Sequence, residues 1–354
     1  MVTRVVLSAA VALVAAACGG DGGGGPGGGG RRAGCAEDQF CVGVALDVGG
    51  LGDQSFNDAA KRGLDEAIAE GFVEEDNTEF IEANATGSNR DANITSLADQ
   101  GYDLIVGVGF AFSEGVAEIA GDYPDQSFAV VDGFATTIAE EADNIVDLTF
   151  KEHEGSFLVG AAAAMASEAG TIGFLGGQRG PLIGKFEAGY VAGAQAIDPD
   201  IEILVEYIGD DVTAFNDPTK GEALSQSMYD EGADVIYHAA GASGAGLFQA
   251  AVAADALAIG VDSDQYLTAS EEQKPHILTS MLKRVDTAVR DVIEEAANDR
   301  FEPGFKVFGM AEDGVDYSQS NTELMTDEII AQLDEFKAQI IDGDIVVPEE
   351  PEAA

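Results

Sequence analysis

From residue 42 onward, short apolar runs alternate with longer stretches in which apolar and polar positions mix at helical spacing. The runs predict strands over Val42–Leu46, Glu79–Glu82, Leu104–Gly107, Phe128–Val131, Thr171–Leu175, Glu202–Tyr207, Val235–His238, Ala258–Val261, His276–Met281 and Lys306–Phe308. Amphipathic stretches between them, among them Val285–Asn298 and Thr326–Ile341, predict helices. Strands alternating with helices are the pattern of a parallel sheet covered on its faces, so the fold class is α/β.

The pattern also repeats. Val42–Leu46 leads through a glycine loop to Phe56 and then Gly63; Thr171–Leu175 leads through a glycine loop to Phe186 and then Gly193, at the same spacing. Each half then reaches a Gly-x-Asp-x-Ile signal, Gly101–Ile105 and Gly232–Ile236. The halves run in register at an offset of about 130 residues, which predicts two similar lobes with a ligand between them at the carboxyl ends of the strands. Lobe one is expected to hold residues 35–148 and 276–302, and lobe two residues 149–275 and 303–348. The chain would cross between them three times, forming a hinge, a topology implied in part by the resemblance set out below.

Ahead of the lobes, one charge at Arg4 precedes the apolar run Val5–Ala17, which ends at Cys18. The run is too short to span a bilayer comfortably and has the order of an export signal over residues 1–17. Cys18, directly after small residues, resembles the lipidated cysteine of a bacterial lipobox, although Ala15 stands where that motif most often has Leu. Residues 19–34 are almost all glycine and cannot bury apolar surface, so 18–34 reads as a lipid anchor and flexible tether. The protein is then expected on the outer face of the cell membrane.

Sixty-five acidic residues against seventeen basic give a formal charge of −48. Such a surface repels nucleic acid, anionic lipid heads and polyanionic ligands, and favours a neutral or cationic small molecule. It also fits a saline habitat, where screening removes the self-repulsion. Of three cysteines, Cys35 and Cys41 remain beside Cys18. In an exported chain with no histidine nearby, they read as a small disulfide at the entry to the first strand, and no metal site is expected.

The segment Gly50–Asp58 (GLGDQSFND) resembles the signature of the basic membrane protein family, the PnrA-like lipid-anchored nucleoside-binding components of ABC importers. Further matches follow in order: Tyr123–Asp125, Phe128–Asp132, Gly173–Gly177, Phe186–Tyr190, Gly232–Ile236, Gly260–Gln265 and Leu278–Asp286. The resemblance implies two doubly wound lobes of the type I periplasmic-binding-protein kind joined by a three-segment hinge. It also implies a nucleoside ligand, purine above all, a membrane permease as partner, no cofactor and no chemistry.

A nucleoside site needs flat aromatic walls, worth about 1–3 kcal/mol per base. The resemblance implies that Phe56 and Phe215, one from each lobe, sandwich the base. Asn57 and Asp132 suit its edge, and Asp53 belongs to the same signature segment. Asp262 and Lys283 match the family positions that hold ribose hydroxyls, and Gly241 lets backbone approach closely. Each residue also has a plainer use: Phe56 and Phe215 as core residues at helix starts, Asp262 as a helix cap. Phe110 and Phe112 suit ordinary packing better than the cleft.

Catalytic readings find little support. In Gly180–Phe186, Arg179 stands where a phosphate loop needs its first glycine and Phe186 where it needs Ser or Thr; the glycines of Gly241–Gly246 are out of order for a dinucleotide fingerprint. Three scattered histidines and the lack of a Gly-x-Ser-x-Gly elbow leave no nucleophile system in view. The competing non-catalytic readings are a sensor lipoprotein of the same fold, and a binding protein for a sugar or another small neutral ligand.

Overall fold

The computed structural model describes residues 39–139 and 143–351. The export signal, Cys18, the tether and Cys35 lie outside the described residues. Cys41 is fully buried and disulfide-bonded.

Two six-stranded sheets carry the fold. The first contains β1 (Val42–Leu46), β2 (Thr78–Glu82), β3 (Leu104–Val108), β4 (Ser127–Val131), β5 (Ile145–Phe150) and β11 (Gly304–Phe308), in the order β11-β5-β4-β3-β1-β2. All of its pairings are parallel. The second contains β6 (Thr171–Gln178), β7 (Glu202–Gly209), β8 (Val235–Ala239), β9 (Leu257–Asp262), β10 (Ile277–Lys283) and β12 (Val315–Tyr317), in the order β12-β10-β9-β8-β6-β7. Only the pairing of β12 with β10 is antiparallel. The same strand order in both sheets is the structural form of the repeat read in the sequence. This is the α/β, doubly wound, two-lobed architecture expected.

The helices are α1 (Phe56–Glu70), α2 (Arg90–Asp99), α3 (Ser113–Ile119), α4 (Glu152–Ala166), α5 (Pro181–Ile197), α6 (Pro218–Asp230), α7 (Gly244–Ala254), α8 (Gln265–Thr268), α9 (Val285–Ala297) and α10 (Asp327–Ile341). Central strands such as β1 and β3 are buried at every position, because helices cover both faces of a parallel sheet. The repeated glycines mark helix crossings. A Cβ on Gly63 of α1 would come 2.3 Å from the Asp286 carbonyl of α9, and one on Gly193 of α5 would come 1.9 Å from the Phe157 carbonyl of α4. Only glycine allows these backbones so close.

All ten expected strands form, each with ends within three residues of those predicted. Two further strands were not foreseen. β5 is interrupted by Asp147, whose charge hides the apolar run; it is fully buried and accepts the backbone N–H groups of Ala135 and Thr136, pinning the loop after β4. β12 has only three residues.

The division into lobes differs from expectation at two strands. β10 belongs to the second sheet, paired with β9, and β11 to the first, paired with β5. Of residues 276–302 only α9 packs against lobe one, on α1; β12 joins the second sheet and α10 packs on α4. The three crossings therefore fall at Lys151 (β5 to α4), Arg284 (β10 to α9) and residues 309–314 (β11 to β12).

Candidate functional site

The carboxyl ends of both sheets open onto one cleft, which encloses about 610 Å³ of atom-free space with its mouth included. Asp53, Phe56, Asn57, Asp132, Phe215, Gly241, Asp262 and Lys283, the eight residues expected at the ligand, all line it. Phe110 lines it as well, whereas Phe112 is buried in the core of lobe one.

Lobe one contributes the loop after β1 and the start of α1. Asp53 turns back to cap that helix: its carboxylate accepts the N–H groups of Ser55 at 3.0 Å, Asn57 at 2.8 Å and Asp58 at 3.1 Å, and the Asn57 amide at 3.0 Å. These bonds oppose, without cancelling, the rise in pKa that burial imposes on Asp53. Asn57 in turn accepts the Asp47 N–H on Oδ1 at 3.0 Å and donates to Asp53 and, at 3.4 Å, to the Val48 carbonyl. Both side chains, expected against the ligand, are committed to shaping the loop that presents Phe56 and Asp47.

Asp47 was not expected in the site. It directly follows β1, and its Oδ1 accepts Arg90 Nε at 2.6 Å and the Val48 N–H at 2.6 Å. Burial raises its pKa, opposed by the Arg90 charge. A carboxylate placed straight after a central strand is the signal that could have found it.

Lobe two contributes Phe215, on the turn Val212–Asn216, which meets Phe110 of lobe one edge-on across the cleft at 6.4 Å. Gly177 leaves room for that ring: a Cβ there would lie 2.4 Å from it. Gly241, at φ +54°, keeps β8 and the following turn close to the Phe215 backbone.

Two aspartates stand at matching places in the two lobes, Asp132 after β4 and Asp262 at the end of β9, both left-handed with φ of 58° and 63°. Short polar side chains tolerate this conformation, and it turns the carboxylate off the strand direction. Asp132 was expected at a base edge; here both of its oxygens hold Lys283 Nζ, at 2.6 and 2.7 Å. Asp262 instead accepts the Ser55 hydroxyl at 2.5 Å, across the lobes. Ser263 donates to the Ser55 carbonyl at 2.9 Å and accepts Arg62 at 2.9 Å, so this side of the cleft is closed by a chain of interlobe bonds.

Lys283 is 2% exposed. Its ammonium lies 5.2, 4.9 and 5.5 Å from the ring centres of Phe56, Phe150 and Phe186, and Glu152 Oε1 stands 3.2 Å away. Burial pulls the ammonium's pKa down, but the charges of Asp132, Glu152 and Asp262 outweigh it, and Lys283 is held above its ordinary value. Burial lifts the Asp262 carboxyl to about 6 against the Lys283 charge and the Ser55 hydroxyl, with Asp132 and Asp53 adding to the rise. Phe186, the repeat partner of Phe56, and Glu152 were not foreseen here; Phe186 could have been found by carrying the repeat one step further.

The arrangement offers aromatic walls, buried carboxylates and one ammonium, all fixed by protein bonds, and suits the holding of a neutral polar ring system. Lys185, in the first turns of α5 where the phosphate-loop pattern fails, lies 3.4 Å from Glu152 Oε2 and donates to the Phe150 carbonyl at 3.4 Å. Among the described residues no group of three or more His, Cys, Asp or Glu side chains is placed to hold a metal ion, and no helix is long and apolar enough to cross a membrane.

Comparison with known proteins adds three findings. The family model described as ABC transporter substrate-binding protein PnrA-like matches residues 40–351. The chain is 33% identical over 319 residues to the ABC transporter nucleoside-binding protein BmpA of Lactococcus lactis, covering 86% of this chain and 88% of that one, and 35% identical over 293 residues to an uncharacterized lipoprotein of Pyrococcus furiosus, covering 78% and 69%. The crystal structure of an ABC transporter solute-binding protein from Aeropyrum pernix superposes with a TM-score of 0.75 at 30% identity, covering 88% of this chain and 94% of that one.

Proposed function

The chain belongs to the PnrA-like family of ABC transporter substrate-binding proteins, and from that premise we propose that it captures a nucleoside, preferentially a purine nucleoside, and delivers it to an importer. It does so outside the cell, lipid-anchored at Cys18, and performs no chemistry on its ligand. The observation that carries this reading is that Phe56 of lobe one and Phe215 of lobe two line the same cleft as the buried polar side chains of Asp47, Asp262 and Lys283.

In this reading the base lies between Phe56 and Phe215, each face worth about 1–3 kcal/mol in stacking. Asp47 Oδ2, which takes neither of the two bonds on Oδ1, accepts from the base edge. The ribose hydroxyls donate to Asp262, whose remaining oxygen is not used by Ser55, and accept from Lys283. A cleft with so many carboxylates disfavours a phosphate group, which selects free nucleosides over nucleotides. Closure of the lobes around the ligand is the signal read by the permease. The name of the Lactococcus lactis relative agrees with this assignment.

Calorimetric titration of residues 35–354 against adenosine, guanosine, inosine, cytidine and uridine, with ribose as control, at low and at molar salt, tests it. One-to-one binding of a purine nucleoside and none of ribose is expected. Binding of ribose alone, or of none of these by folded protein, would refute the nucleoside assignment and leave the family intact.

A further inference from the structure

Behind the cleft wall, Lys283 meets a second carboxylate that does not line the cavity. Glu152 is fully buried, with Oε1 3.2 Å from Lys283 Nζ and Oε2 3.4 Å from Lys185 Nζ. A carboxylate so placed is costly to desolvate, and two ammonium groups are what make its burial tolerable.

Its place along the chain matters as much as its contacts. Glu152 begins α4 directly after the first crossing between lobes, and Lys283 ends β10 directly before the second. Two residues on, Glu154 accepts the Met310 N–H at 2.8 Å from the third crossing and pairs with Lys151 at 3.1 Å. The start of α4 thus binds the other two crossings through two acids, Glu152 and Glu154, two residues apart.

An ammonium has three N–H groups. Asp132, with both oxygens within 2.7 Å, would by itself draw the Lys283 ammonium fully into lobe one. Glu152 attracts it from the hinge side, and the rings of Phe56, Phe150 and Phe186 confine the space between.

We propose that Glu152 is a positioning residue for Lys283: its charge divides the ammonium between hinge and lobe one, keeps an N–H directed into the cleft, and ties that N–H to the arrangement of the crossings. The inference rests on Lys283 contacting the sugar in the reading above. It assigns Glu152 a part in affinity although Glu152 does not face the ligand.

The test uses Glu152→Gln, which keeps shape and removes charge, in the full chain. Wild-type protein is titrated first with purine nucleoside and with the free purine base; absence of any nucleoside binding would end the nucleoside reading itself. Glu152→Gln is expected to weaken the nucleoside about tenfold or more, the effect of one mis-set charge-assisted hydrogen bond, while the free base, which lacks the sugar, binds as before. Equal losses for both, or none, would overturn the proposal.

A second readout is independent of the ligand. In ¹⁵N-lysine-labelled ligand-free protein, with Lys283→Met identifying the signal, Glu152→Gln is expected to shift the Lys283 ammonium resonance, and an unmoved resonance would overturn the proposal. Glu152→Asp, which keeps the charge and withdraws it by one methylene, serves if the glutamine variant does not fold. It is expected to shift the same resonance and to lower nucleoside affinity by a smaller factor than the tenfold expected of Glu152→Gln, with free-base affinity unchanged; no change in either measurement would overturn it.

Discussion

Acidification through pH 6 is expected to release the ligand, and Asp262 is the group responsible. Its carboxyl is lifted to about 6 by burial, against the opposing Lys283 charge and the Ser55 hydroxyl. A carboxylate that accepts sugar hydroxyls must be ionised, so protonation competes with the ligand. Between about pH 7.5 and about pH 5 the ionised fraction falls from nearly all to roughly one in ten, so affinity should fall about tenfold, or about 1.4 kcal/mol. The stability effect of the same group has the opposite sign. Its folded pKa is above the ordinary carboxyl value of 3.8, so its contribution is complete below that value and is lost as pH rises through about 6. Over this window acidification therefore favours the fold through Asp262 while weakening the complex, and loss of binding cannot be assigned to unfolding by this residue. His238, lowered to about 4 by burial, stays neutral over most of the range. Titration calorimetry at several pH values, in two buffers of different ionisation enthalpy, measures both the affinity and the proton released on binding. Asp262→Asn should bind weakly with a flattened profile. Wild-type affinity that does not change between the two pH limits, or an asparagine variant that keeps the wild-type slope, would refute the reasoning.

Phe215→Ala removes the lobe-two wall and its edge contact with Phe110, and Phe56→Ala removes the facing wall; each should weaken purine nucleosides by about 1–3 kcal/mol in the same titration, and unchanged affinity in both would dispose of the stacked base. Ser55→Ala takes a donor from the Asp262 carboxylate and should move the midpoint of the binding profile to higher pH. Gly193→Ala sets a methyl 1.9 Å from the Phe157 carbonyl and should lower urea stability by about 1–3 kcal/mol. Gly121→Ala, with nothing within 4 Å, is the control and should change stability by no more than about 0.5 kcal/mol.

The order and type of the main strands could be read from the chain because buried parallel strands are nearly continuous apolar runs. β5 escaped because Asp147 serves a loop from inside a strand, a use that local pattern does not reveal. The sheet to which β10 and β11 belong was misjudged for a different reason. A strand and the helix after it look like one unit in sequence, yet here the chain leaves the second sheet between Lys283 and Val285. The site residues were legible where they follow strand ends or repeat at the common offset, as Asp132 and Asp262 do. Their bonds were not: that Asn57 serves Asp47 and Asp53, that Asp132 takes Lys283 with both oxygens, and that Glu152 stands behind it all depend on elements far apart in sequence.

The crossings give the two halves a relationship deeper than likeness. β5 of the first sheet feeds α4, which packs on α5 in lobe two, and β10 of the second sheet feeds α9, which packs on α1 in lobe one. Each half hands its closing helix to the other at a glycine-lined crossing. That is the exchange made in a swapped homodimer, here carried out within one polypeptide. A fragment ending at Phe150 would therefore lack α9 and β11 and leave the Gly63 face of α1 and the outer edge of β5 uncovered.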